Sequence, residues 1–274
     1  MLIRLCALAA IAGLCLAQDS PDGAKVREQL GLGVQAYREG HFDDAAGFFE
    51  KAVAIDPKAV NPHLYLGIAY SARWNPASQA PENLELARKA ESEFLKVLEL
   101  EPEQIGALQS IANMAYQRAM GMTNPADRWE QLTRAAGWYQ QLGEASPKRR
   151  LAFYMSGLIA WNKCQPEMDA ARREAGMTPD STAPISDPEI RRRTREKCGG
   201  VIDDGVAELK KGLEADPDYS EAMNYLSILC RQRASLEDSP EAAQRDLREA
   251  EDWAQKSATA ARRRMTKHQD SPDE

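Results

Sequence analysis

Residues 27–57 read REQLGLGVQAYREGHFDDAAGFFEKAVAIDP. Leu32, Gly33 and Tyr37 precede Gly40 at helical spacing, and Phe42, Ala45, Phe49 and Ala52 follow it at the same spacing, so the stretch reads as two helices joined by a tight turn. The second helix runs into Asp56 and Pro57. Proline has no N–H to continue a helix and pushes the residue before it away from the αR region, so Pro57 closes the unit.

The same ending recurs along the chain, as VLELEP at Pro102, LGEASP at Pro147 and GLEADP at Pro217. Taking Gly33 as the marker of a first helix, its counterparts are Gly67, Ala112, Gly157 and Ser227, at spacings of 34, 45, 45 and 70 residues. The second-helix marker Ala45 corresponds to Ala90, Ala135, Gly205 and Ala250. Marker-to-marker distances within the five units are then 12, 23, 23, 48 and 23 residues. Eleven extra residues are about three helical turns, so length can be added without rotating the buried face. Pro81, Pro125 and Pro240 suit the first turn of a helix that starts early, or simple loop punctuation.

The pattern of Leu32, Gly33, Tyr37, Gly40, Phe42, Ala45, Phe49, Ala52 and Pro57 resembles the tetratricopeptide repeat. The resemblance implies an all-α fold, a right-handed α-solenoid of about five antiparallel helix hairpins with extended intra-repeat turns, over residues 26–262. A period near 45 also suits HEAT-like repeats, but the first unit and the proline-ended second helices decide against them. Residues 18–25 are expected to be a flexible segment and 263–274 a disordered tail.

Composition agrees with an all-α chain. Of 274 residues, 43% are hydrophobic and 28% charged, with aromatics at 7% and β-branched residues sparse. Residues 1–17 place Arg4 before an apolar run from Leu5 to Ala17, which reads as a secretory signal peptide cleaved between Ala17 and Gln18. The run is too short to span a bilayer, which needs about 20 apolar residues, and no other segment is apolar enough. Export to a periplasmic or extracellular compartment follows. Removing the signal leaves 34 basic against 42 acidic side chains, a net charge of −8, which argues against nucleic acid as a partner.

The fourth unit carries a long insertion, residues 163–200, flanked by Cys164 and Cys198. Within it, PEMDAARREAG reads as a short helix starting near Pro166 and stopping at Gly176, and DPEIRRRTREK as another. An antiparallel hairpin brings Cys164 and Cys198 together at its neck. Either they form a disulfide or they are two buried thiols. The run Arg191, Arg192, Arg193, Arg195 and Lys197 is either an anion-contact patch or a solvated helix face. Cys230 reads as a small core residue.

Catalysis finds no support in the residues. His41, His63 and His268 are scattered, and HExxH, nucleophile-elbow, P-loop and paired CxxC motifs are absent from the sequence, so neither an enzyme nor a cofactor or metal site is expected. The resemblance instead implies that a protein or peptide ligand lies along a groove lined by first helices. Carried over by position, that groove holds Tyr37, Tyr65, Gln109, Asn113, Tyr116, Tyr154, Trp161, Asn162, Asn224, Tyr225 and Arg231, whose rings supply contact area while the amides satisfy a peptide backbone. A subset of the family grips C-terminal carboxylates with lysine, asparagine and arginine; here those positions hold Leu30, Val34, Tyr65, Gly106 and Ser110, so that clamp is missing. A small ligand or glycan stacked on Trp161, Tyr154 and Tyr225, in a pocket beside the insertion, is the alternative, as is a non-catalytic auxiliary subunit.

Overall fold

The computed structural model describes residues 21–270, with side chains to Arg264. The expected signal peptide, with Ala17 and Gln18, lies outside the described residues. Those described form ten helices and no strand: α1 (Pro21–Arg38), α2 (Phe42–Ile55), α3 (Val60–Arg73), α4 (Pro81–Leu100), α5 (Ile105–Met120), α6 (Pro125–Ala145), α7 (Arg150–Glu174), α8 (Pro188–Ala215), α9 (Ser220–Ser235) and α10 (Pro240–Asp270). Among them no helix is long and apolar enough to cross a membrane.

Four joints share one conformation. Asp56, Glu101, Ser146 and Asp216 stand before the repeating prolines with φ near −140° and ψ near 90°. Each donates its N–H back to the helix it ends, and its carbonyl accepts the N–H of the residue three further on, Ala59, Gln104, Arg149 and Tyr219. Proline at the second position of each turn supplies the fixed φ that such a turn wants. At two joints the aspartate side chain also takes the N–H of Lys58 or Asp218.

The chain divides into two compact units, ending and starting at Met122 and Thr123. In the first, α1 pairs with α2 and α3 with α4, and α5 packs on both α3 and α4. In the second, α6 packs on α7, α7 pairs with α8, and α9 lies against α7, α8 and α10. The small markers explain the close pairing. A Cβ at Gly33 would stand 2.4 Å from the Phe49 ring and one at Gly67 2.7 Å from Phe94, while Ala45, Ala90, Ala135 and Ala250 are fully buried.

Three sequence expectations are corrected. Residues Pro21–Lys25 are helical rather than flexible, because Pro21 is compatible with a helix start and Asp22 sits in the first turn, where the helix dipole favours a negative charge. The tail is helical to Asp270, since α10 continues without interruption past Arg262. The insertion is not an excursion on a neck. α7 continues through Pro166, α8 starts at Pro188, and the two are arms of one long hairpin whose connecting loop is only residues 175–187. Proline inside a helix costs about 3 kcal/mol, and here burial offsets it: Met168, Ala171, Ile185, Ile190 and Ile202 share one core with Leu226, Leu229 and Cys230.

That core also holds Cys164 and Cys198, brought together as expected. Both are free thiols. Cys164 Sγ donates to the Cys198 carbonyl at 3.8 Å, and the neighbouring Cys198 thiol, together with burial, pushes the Cys164 thiol far above its ordinary range. Of the two alternatives, the structure holds the buried thiols rather than the bond.

Candidate protein-binding face

In the first unit Tyr37 packs within a hairpin and Tyr65 between successive hairpins. Tyr37 packs its ring on Phe42 across the α1–α2 turn, with centroids 5.1 Å apart, and Tyr65 stacks on Phe49 at 5.6 Å. Tyr65 stays partly open at 36% exposure, and Gln109, Asn113 and Tyr116 on α5 are half-buried.

The second unit gathers its predicted residues into a continuous face on α7 and α9. Tyr225 meets Tyr154 edge-on at 5.5 Å and Trp161 at 6.0 Å, and Tyr154 leans on Tyr219 at 5.7 Å. Tyr154, Trp161 and Tyr225 are half-buried, Asn224 and Arg231 exposed. Burial first, then the neighbouring Tyr154 hydroxyl, raises the Tyr225 phenol above its ordinary value, so it stays a neutral hydrogen-bonding group. Asn162 is also half-buried, but its amide donates to Leu158 of its own helix.

Beyond the rings runs a polar chain that the sequence reading did not single out. Gln165 Oε1 accepts from Trp161 Nε1 at 3.2 Å and from Gln232 Nε2 at 2.8 Å, and Gln165 Nε2 donates to Asp169 at 2.8 Å. Asp169 lies 3.8 Å from Arg172, which donates to Ser235 at 3.0 Å. Burial lowers the pKa of Arg172, opposed by Asp169. The helical period was the available signal: Gln165 is four residues past Trp161, and Gln232 seven past Tyr225, on the same faces. A cavity of about 340 Å³ opens beside Trp161, lined by Arg128, Asn162, Gln165, Pro166, Asp169 and Arg173. Tyr154 and Tyr225 do not reach it.

The basic run of α8 is neutralised. Arg191 and Arg195 share Asp238, Arg192 lies between Glu189 and Glu196, Arg193 reaches Glu174 and Lys197 reaches Glu167. It is a set of ion pairs within α8, between α8 and α7, and from α8 to Asp238, not an anion patch.

No family model matches the chain, and no curated protein matches it. Solved structures do. A double mutant of MamA, RS-1 ArsTM, is similar with a TM-score of 0.51 at 15% identity, over 88% of this chain and 96% of its own. YrrB, described as a TPR protein with an unusual peptide-binding site, gives 0.46 at 14% identity over 89% and 98%. TTC0263, a thermophilic TPR protein of Thermus thermophilus, gives 0.41 at 19% identity over 74% and 98%. With proline-ended helix pairs, small residues at each crossing and the likeness to the first of these structures, this chain has the tetratricopeptide-repeat fold.

Proposed function

We propose that the protein is an exported, non-catalytic scaffold that captures a segment of another protein on the α7–α9 face. The observation that carries this reading is the half-exposed ring row Tyr154–Tyr225–Trp161, continued by the half-buried Gln165, which the buried Gln232 holds in place from beneath. Rings contribute area at little entropic cost, and the exposed amide of Asn224, next to Tyr225 on α9, offers hydrogen bonds to a peptide backbone. The apolar run and polar break of residues 1–17 support delivery to a periplasmic or extracellular compartment.

Photo-crosslinking in the producing cells tests it. A benzophenone side chain at Asn224, on the face, should give a discrete polypeptide adduct, and one at exposed Lys210 on α8 should not. Equal labelling at both positions, or none at Asn224, would overturn the reading.

The cavity beside Trp161 supports a second reading, a small polar ligand such as a sugar stacked on the indole. Saturable quenching of Trp161 fluorescence by a sugar, with no adduct at Asn224, would favour it.

A further inference from the structure

Lys163 is a buried cation with no ion pair within 4 Å. It sits on α7 at 8% exposure, its Nζ donating to Thr133 Oγ1 at 2.8 Å and standing 4.4 Å from the Trp129 ring centroid. The Thr133 hydroxyl is itself committed to the Trp129 carbonyl. Neighbouring lysines are matched: Lys197 with Glu167, Lys210 with Glu249 and Lys211 with Glu208, all within 2.8 Å. Among the described residues no carboxylate comes within 4 Å of Lys163; Asp204, further off, acts on it only through its charge. Burying an ammonium with one neutral acceptor and one ring face is costly, and desolvation accordingly pulls its pKa below the ordinary lysine value.

Lys163 lines an open cleft of about 580 Å³ between α6 and α8, floored by α7. That is within the size range of small-molecule sites. Ala136 and Gly137 form one wall, Ile159 and Ala160 the floor, Val201 and Gly205 the other wall. A side chain at Gly137 would meet nothing within 4 Å, so the space is unfilled on that side, while at Gly205 a Cβ would strike Ala160 at 2.6 Å, which keeps α8 down on the floor. Asp204 and Glu208 also line the cleft, Glu208 paired with Lys211, and their charge disfavours a dianion more strongly than a monoanion.

We propose that this cleft binds a small monocarboxylate, its head paired with Lys163 and its short aliphatic body lying on Ala136, Gly137, Ile159 and Ala160. The site is separate from the α7–α9 face: it opens between second helices of successive hairpins.

Amide NMR of the full chain, titrated with hexanoate, tests this. Hexanoate should shift the amides of Gly137, Ala160 and Gly205 saturably. Hexanol, lacking the charge, and inorganic phosphate, carrying too much, should each bind about tenfold more weakly or worse. Lys163→Met keeps the stem and should weaken hexanoate by about tenfold or more, while melting no lower than the parent because an unmatched buried charge is gone. The proposal is overturned if hexanoate gives no saturable shift at those amides, if hexanol or phosphate binds as well, if hexanoate binding to Lys163→Met stays within about twofold of the parent, or if that variant melts lower.

Discussion

Gly157 on α7 lies so close to Leu209 on α8 that a Cβ on residue 157 would stand 2.4 Å from Leu209 Cδ1. Leu209 is fully buried and cannot swing into solvent. Gly33 has the same relationship with Phe49, and Gly67 with Phe94. In each pair the large residue lies four positions after the small second-helix marker, so one crossing geometry recurs in hairpins of very different length.

Gly157→Ala should therefore destabilise the protein by about 1–3 kcal/mol through overpacking. Gly200→Ala, on the same hairpin but with nothing within 4 Å of its would-be Cβ, should stabilise it by about 0.5–1 kcal/mol by lowering the entropy of the unfolded chain. Urea denaturation followed by far-UV circular dichroism reads both. Changes of the same sign would contradict the crossing geometry.

Asp238 anchors the start of α8, bonded to Arg195 and Arg191, and Arg191 also donates to the Ile185 carbonyl. Hydrogen bonds from Arg195 and Arg191 hold its carboxyl below the ordinary 3.8. A depressed carboxylate pKa stabilises the fold above the unfolded value and ceases to do so as pH falls through the folded value. Asp238→Asn should speed exchange of the Ile185 amide, which donates to the Ser235 carbonyl, at neutral pH, and the difference should vanish only in acid below the depressed native value, where Asp238 itself is protonated. A difference that persisted there would show that the charge is not what matters.

The thiols of Cys164, Cys198 and Cys230 are fully buried, and burial pushes that of Cys230 up to about 12. Iodoacetamide at mildly alkaline pH should leave all three unmodified in the native protein and label them after denaturation, because alkylation needs an accessible thiolate. Peptide mapping without reductant checks the pair directly. A Cys164–Cys198 crosslink in freshly isolated protein would mean that the long hairpin is stapled after synthesis.

His63 ties the first joint to the next hairpin. Its Nε2–H donates to the Pro57 carbonyl at 3.0 Å, and Nδ1 is hydrogen-bonded to Glu93 Oε2 at 2.6 Å. His63→Ala leaves both partners without it and should cost about 1–3 kcal/mol, with His63→Gln recovering part. Thermal melts of the two variants provide the comparison; equal losses would mean that ring packing, not hydrogen bonding, holds the site.

The repeat was legible because proline and glycine act through the backbone, and their consequences survive whatever surrounds them. Pro57, Pro102, Pro147 and Pro217 mark joints, and Gly33, Gly67 and Gly157 mark crossings. Pro166 was misleading for the opposite reason: its local penalty is overcome by burial against Ile190, Ile202 and Leu226, which no short window contains. The aromatic face was legible in Tyr154, Trp161 and Tyr225, but not in Gln165 and Gln232, whose roles depend on each other across 67 residues of chain. Lys163 looked like any helical lysine. Its setting follows from α6, which places Thr133 and Trp129 beside it but no carboxylate within 4 Å, and the lack of an ion pair has no signature in sequence.

The four matching turns at Asp56, Glu101, Ser146 and Asp216 confine variation to one kind of place. Each launches the following helix with nearly the same torsions, so a stretch bounded by two of them is an interchangeable cassette, open to duplication or deletion without altering its neighbours' starting directions. Growth has gone into the arms instead, by whole helical turns at the far ends of the hairpins, where lengthening α7 and α8 left the turn at Asp216 as it is at Asp56. A chimera that moved the residue 148–217 cassette behind Pro57 would ask whether that grammar is sufficient by itself.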